Sequence, residues 1–210
     1  MQLYTFFNSS ASYRVRIALA LKGLTAESVG INLRSGAHRS EDFLALNPSG
    51  QVPTLVDGET RLSQSLAIID YLDRLQPEPM LVPARGTARG QALEIAQLIA
   101  CDIHPLNNLR VLKYLISEMG LSDAQKNIWY AHWITVGFNS LEAILPDHDG
   151  WCVGGAPTVA DCCLVPQVAN AERMKIDMSA WPRIVSMAAF ARKHPAFVQA
   201  EPQRQPDYVV

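Results

Sequence analysis

Apolar positions along this chain follow two regimes, short runs broken by turns as far as residue 75 and long stretches of helical period thereafter. Residues 2–6 read as a strand. Ser9-Ser10-Ala11 then opens a helical pattern that runs to Lys22-Gly23, serine and glycine being ordinary helix boundaries. A second strand fits residues 26–33, and a short helical segment at 41–46 stops before Asn47-Pro48. Val52-Pro53 begins a further strand, the Asp57-Gly58 turn returns it as a hairpin ending at Leu62, and Ser65 caps an amphipathic helix over 66–75. The order β-α-β-α-β-β-α predicts an α/β domain of thioredoxin-like type over residues 1–80. Residues 76–86 hold Pro77, Pro79 and Pro83 without apolar periodicity and read as a linker. From there the pattern is wholly helical, over 88–116, 122–144, 159–171 and 181–194, so an all-α, helical-bundle domain is expected over 87–210. Pro105 predicts a kink or break near His104. Thr158 and Asp161 have the spacing of a reciprocal helix cap, a structural motif to which no catalytic role is given.

Composition narrows the functions open to such a protein. Hydrophobic residues make up 49% of the 210, charged ones 18%, and the formal net charge is −2, a globular balance without a basic run. Nothing in it suits a nucleic-acid backbone or an anionic membrane surface. The first residues lack the pattern of a signal peptide and no segment has the apolar length of a membrane span, so a cytoplasmic protein acting on small molecules is expected. Cys101, Cys152, Cys162 and Cys163 form neither a C-x-x-C pair nor a disulfide framework and read as reduced thiols. His38, His104, His132, His148 and His194 show no ligand spacing, so no metal is expected.

Candidate chemistry begins at the turn before the first helix. Asn8-Ser9-Ser10-Ala11-Ser12 places hydroxyls and unpaired amides at a helix N-terminus, where an anion is favoured. Redox proteins of thioredoxin type carry two cysteines here; this chain carries none, so a reactive thiol must come from a ligand. A free thiol is only about 3% ionised at pH 7, and lowering its pKa by two units takes roughly 2.7 kcal/mol. Read from spacing alone, Ser9 or Ser10 merely caps the helix. Val52-Pro53 needs either a cis bond or an edge strand, and either leaves the Val52 backbone open to an extended peptide. Gln64-Ser65 opens a helix whose first amides suit a carboxylate, although an N-cap beside a surface glutamine is the plainer reading.

Together these segments resemble zeta-class glutathione transferases of the maleylacetoacetate isomerase family. Ser9-Ser-Ala-Ser-Tyr-Arg-Val-Arg-Ile-Ala-Leu is similar to the class signature, as are Asn47-Pro, Gln51-Val-Pro-Thr-Leu, Gln64-Ser-Leu-Ala-Ile-Ile and the segment Val165 to Arg173. The resemblance spans essentially the whole chain and implies a glutathione transferase fold, with glutathione as cofactor. It implies that Ser9 is the hydroxyl nearest the glutathione sulfur, with Ser10 and Ala11 lining the turn. Val52, before Pro53, pairs with the cysteinyl unit, Gln64 and Ser65 hold the γ-glutamyl end, and His38, His104 and Asn108 supply further polar contacts. Two departures stand out: Ala11 replaces the usual cysteine and Asn8 the usual arginine, which removes one candidate for a substrate carboxylate. Arg173 and Arg110 remain for that task, with a salt bridge and a solvated helix face as their plainer readings.

The implied activity is cis-trans isomerisation of a small conjugated dicarboxylate or 2-keto acid, maleylacetoacetate first and maleylpyruvate next, in a homodimer. Conjugation or dehalogenation of small 2-halo acids, and a non-catalytic binding module, are the alternatives. The serine turn and Gln64-Ser65 argue against the module.

Overall fold

The computed structural model describes residues 1–209. The chain divides into two compact units, Met1–Ala84 together with the segment from Arg192 onward, and Arg85–Ala191. Among the described residues no helix is long and apolar enough to cross a membrane.

In the first unit, β1 (Gln2–Thr5), α1 (Ser10–Lys22) and β2 (Glu27–Gly30) form a parallel crossover, and α2 (Glu41–Leu46) leads to the hairpin β3 (Thr54–Asp57) and β4 (Thr60–Leu62). The sheet order is β2-β1-β3-β4, with β1 parallel to β2 and antiparallel to β3. This is the thioredoxin-like arrangement the element order predicts. It puts β3 inside the sheet, so Pro53 is accommodated through its cis bond to Val52 and not at an edge. The strand starts at Thr54, one residue beyond the proline, because proline has no N–H for the ladder.

α1 ends at Gly23, whose left-handed backbone (φ 63°) lets its N–H reach the last turn. α1 packs on α3 (Ser65–Leu75), burying Val15, Ile17 and Leu19 of one and Ile68, Ile69 and Leu72 of the other. Asp73 of α3 receives the amides of Leu81 and Val82 at 2.9 and 2.6 Å and an ion pair from buried Lys22, whose ammonium also donates to the carbonyls of Gln76 and Pro79. The proline-rich segment is therefore tied to α1 and α3 through named polar groups. Residues 192–209, which include α9 (Pro195–Gln199), belong with this first unit and not with the helices that precede them. The reason is polar as well as apolar: buried Tyr13 and Arg16 of α1 donate to the carbonyls of Phe197 and Ala200.

The second unit begins with α4 (Gly86–Gln97), which widens into a π-helical stretch at Leu98–Ile103 and tightens to a 3-10 turn at His104–Asn107. α5 (Leu109–Ser117) then starts afresh, so the expected break at Pro105 is real and lasts about two turns. α6 (Asp123–Ile144) is capped reciprocally by Ser122 and Gln125. It approaches the π-helical stretch so closely that a Cβ on Gly137 would lie 2.2 Å from Cγ1 of buried Ile103. α7 (Val159–Arg173) is almost entirely buried, and its Thr158–Asp161 cap is present; Asp161 also takes the Cys152 amide at 2.8 Å. α8 (Pro182–Ala191) completes the unit.

Candidate active site

In the first unit the expected residues fall on four chain segments. Ser9 is the N-cap of α1, its Oγ accepting the Ser12 amide at 3.2 Å. A hydroxyl that accepts an amide keeps its own proton for a second partner, so capping does not compete with donation to an anion. Ser10 is buried in the first turn, Ala11 is half-buried beside it, and Asn8 is half-buried just ahead of the cap. Behind this turn Phe6, Phe7, Phe43 and Val52 form one buried cluster, which fixes the Val52-Pro53 loop against the Ser9 turn. Val52 precedes the β1–β3 ladder, whose pairing starts at Thr54, so its backbone lies outside the sheet register.

Gln64 and Ser65 differ in detail from the expectation. Ser65 is the first residue of α3 and not its cap; Gln64 occupies the cap position by its backbone, and its exposed side chain makes no capping bond. The Ser65 hydroxyl instead accepts Nη1 of Arg14 at 3.3 Å, which joins the N-terminal ends of α1 and α3. Arg14 is 2% exposed. In the sequence Arg14 stands only as part of a helix signature, and the readable sign of its role is an arginine inside an otherwise apolar helical run. His38 is half-buried in a 3-10 turn, Ala37–Arg39. Its carbonyl oxygen would lie 3.0 Å from a Cβ on Gly50, so the turn abuts the loop that carries Val52.

In the second unit the 3-10 turn brings His104 Nε2 to 3.3 Å from Asn108 Nδ2, and Asn108 caps α5 through the Arg110 amide at 3.1 Å. Arg110 is exposed on the first turn of α5. Arg173 is exposed at the end of α7, and its guanidinium meets the hydroxyl of buried Tyr130 on α6. Burial raises the Tyr130 pKa, and the Arg173 charge opposes that rise. The hydroxyl thus stays protonated while it orients the arginine. A cavity of about 860 Å3 between α6 and α8, around Trp181 and Arg183, holds none of the expected residues. There the Glu142 carboxylate is engaged by the amides of Arg183 and Ile184, a structural cap for α8.

Buried Arg16 also belongs to the site's framework. Desolvation lowers its pKa to about 10, against the pull of the Asp207 carboxylate, so it remains charged at neutral pH. Its guanidinium donates to Thr5 Oγ1 at 3.2 Å and to the carbonyls of Phe6 and Phe7 at 3.4 and 3.0 Å, directly behind Ser9.

Comparison with known proteins shows what the chain is similar to. Residues 1–74 match the model for the glutathione S-transferase N-terminal domain. A probable maleylacetoacetate isomerase of Vibrio cholerae serotype O1 is 50% identical, covering 98% of this chain and 97% of its own length. The holo structure of a maleyl pyruvate isomerase, a bacterial glutathione S-transferase of the zeta class, superposes with a TM-score of 0.96 at 41% identity over 100% of both chains. A maleylacetoacetate isomerase from Methylobacterium extorquens AM1, solved with bound malonate and glutathione, gives a TM-score of 0.95 at 36% identity, again over 100% of both chains.

Proposed function

Because the chain belongs to the maleylacetoacetate isomerase family of zeta-class glutathione transferases, we propose that it is a glutathione-dependent cis-trans isomerase converting maleylacetoacetate to fumarylacetoacetate in aromatic amino-acid catabolism. The observation that carries this reading is the Ser9 turn, where a hydroxyl with a proton to donate meets the N-terminus of a 13-residue helix. The donor set fits a thiol peptide, with anion-favouring amides at α1, Val52 backbone outside the ladder, and Gln64 unengaged at the start of α3. Bound glutathione supplies the chemistry of a thiolate, reversible addition to a conjugated double bond, which allows rotation and leaves the cofactor unchanged.

The residues of this chain do the rest. Ser9 donates to the sulfur position; a hydrogen bond to a charged group contributes about 1.5–3 kcal/mol and the helix terminus about 0.3–1, enough for a shift of up to two pKa units. Ser10 and Ala11 line the turn, and Ser65, held by Arg14, sets the start of α3 for the γ-glutamyl end. His38, His104 and Asn108 are the further polar contacts to glutathione. In the helical unit Arg173, oriented by Tyr130, receives a substrate carboxylate, with exposed Arg110 as the second cation. Asn8 leaves the wall of the turn without a charge.

Assay of maleylacetoacetate and maleylpyruvate side by side, with and without glutathione, tests the proposal. Turnover of the first at the higher kcat/KM is expected. Preference for maleylpyruvate moves the assignment to the second reading, favoured by the 0.96 superposition on that enzyme. Conjugation of a small 2-halo acid without isomerisation indicates the transferase reading, and no turnover with glutathione bound indicates a binding module. The same reading makes the protein a cytoplasmic homodimer, and a monomeric sedimentation mass at micromolar concentration contradicts it. Arg173→Ala should lower kcat/KM for the diacid about fivefold while leaving the glutathione KM unchanged, since an exposed cation is screened to about 1 kcal/mol. Equal loss toward both ligands would assign Arg173 to structure alone.

A further inference from the structure

The β1–α1 turn is clamped by a segment distant in sequence. The Phe7 N–H donates to Asp207 Oδ2 at 2.8 Å, while the Phe7 carbonyl accepts Arg16 Nη2 at 3.0 Å. Both backbone polar groups of one residue are thus held by opposite charges, and Arg16 and Asp207 attract each other across it. Phe6 continues the pattern, its carbonyl accepting the Ser9 amide at 2.9 Å as well as Arg16 Nη1 at 3.4 Å. Tyr208 adds an apolar hold, its ring meeting Phe7 edge-on with centroids 5.2 Å apart. Asp207 is packed so closely that its Cβ lies 3.0 Å from where a Cβ on Gly30 would stand, so β2 fixes it from the other side. All of these residues belong to the first unit.

We propose that Asp207 and Tyr208 form a strap that positions the Phe7–Ser9 turn, making Asp207 a positioning residue for the Ser9 hydroxyl. This inference rests on the reading of Ser9 as the thiolate donor. The strap acts through the backbone: with the Phe7 amide pinned, the Ser9 N-cap geometry is set before glutathione arrives, and its hydroxyl points to one place. Released, the turn samples several orientations, and the hydroxyl meets the sulfur only part of the time. A preorganised donor stabilises an anion more than a mobile one does.

The test uses the full chain and two readouts other than turnover. In Asp207→Ala, exchange of the Phe7 amide in the ligand-free protein should quicken at least about tenfold, and the thiol pKa of bound glutathione, read from ultraviolet thiolate absorbance, should rise by about half a unit. Glutathione KM should hold. Asp207→Asn, which keeps an acceptor for the Phe7 amide, should restore most of the slow exchange and of the low thiol pKa. If Asp207→Ala does not fold, Tyr208→Ala reports on the same strap and should shift both readouts in the same direction. Thiolate absorbance unchanged in folded Asp207→Ala, or in Tyr208→Ala, overturns the strap while leaving the Ser9 reading intact. Absence of thiolate absorbance from the unaltered protein with glutathione bound would overturn the Ser9 reading and the strap with it.

Discussion

Replacing Ser9 with alanine should raise the thiol pKa of bound glutathione by about one to two units and slow isomerisation roughly 3- to 30-fold at pH 7. The magnitude follows from ionised fractions. A thiol brought to a pKa of about 6.5 is roughly three-quarters ionised at pH 7, and at about 8.5 only some 3% is. Glutathione affinity should change little, because the proposed reading assigns Val52, Gln64 and Ser65 to its peptide and not to its sulfur. Ser9→Ala also removes the acceptor for the Ser12 amide, a cap loss of about 1 kcal/mol, so the variant should melt a few degrees lower yet fold. The two effects separate with pH. A rate deficit due to thiol ionisation shrinks as the pH is raised past 8.5, whereas a deficit due to lost structure persists. Ser10→Ala should reduce the rate less. The reverse ranking of the two serines would move the thiolate donor by one residue.

Gly137→Ala should destabilise the protein by about 3 kcal/mol although it adds a single methyl group. In an open helix the same change would stabilise by about 1 kcal/mol through propensity. Here the new Cβ would stand 2.2 Å from Cγ1 and 2.3 Å from Cδ1 of Ile103, which is fully buried and cannot swing aside without displacing its neighbours. Thermal or urea unfolding checks the loss. Ile103→Ala, costly alone because it opens a cavity, should relieve the clash, so the double variant should be more stable than the two single changes predict by about 2 kcal/mol. Strict additivity would show that α6 shifts to make room. On the proposed role of His104 in binding, the same strain would reach the ligand, since Ile103 directly precedes His104 and ends the π-helical stretch before it. A fall in affinity for glutathione or substrate alongside the stability loss is therefore expected of Gly137→Ala, and Ile103→Ala should partly restore it.

Periodicity and local chemistry made much of this protein legible before any coordinates. The short apolar runs, the Asp57-Gly58 turn, the Thr158 cap and the break at Pro105 are local effects of a few adjacent residues, and each stands where short-range physics puts it. The same is true of Ser9 as the cap of α1, for which only the next three residues matter. Other features depended on groups far apart in sequence. β2 is four residues long and not eight, because only Glu27–Gly30 pairs with β1. Pro53 left a choice between an edge strand and a cis bond, and sheet order resolved it. Ser65 became the acceptor for Arg14, and residues 192–209 joined the first unit, because buried arginines on α1 take hydroxyl and carbonyl partners from distant segments as well as from the turn before the helix. By itself the sequence determined the order of the elements of the first unit and the serine cap at the β1–α1 turn. Tertiary structure decided which distant groups hold that turn, because desolvating Arg14 and Arg16 is costly unless Ser65, the Phe6, Phe7 and Ala200 carbonyls and Asp207 come together around them.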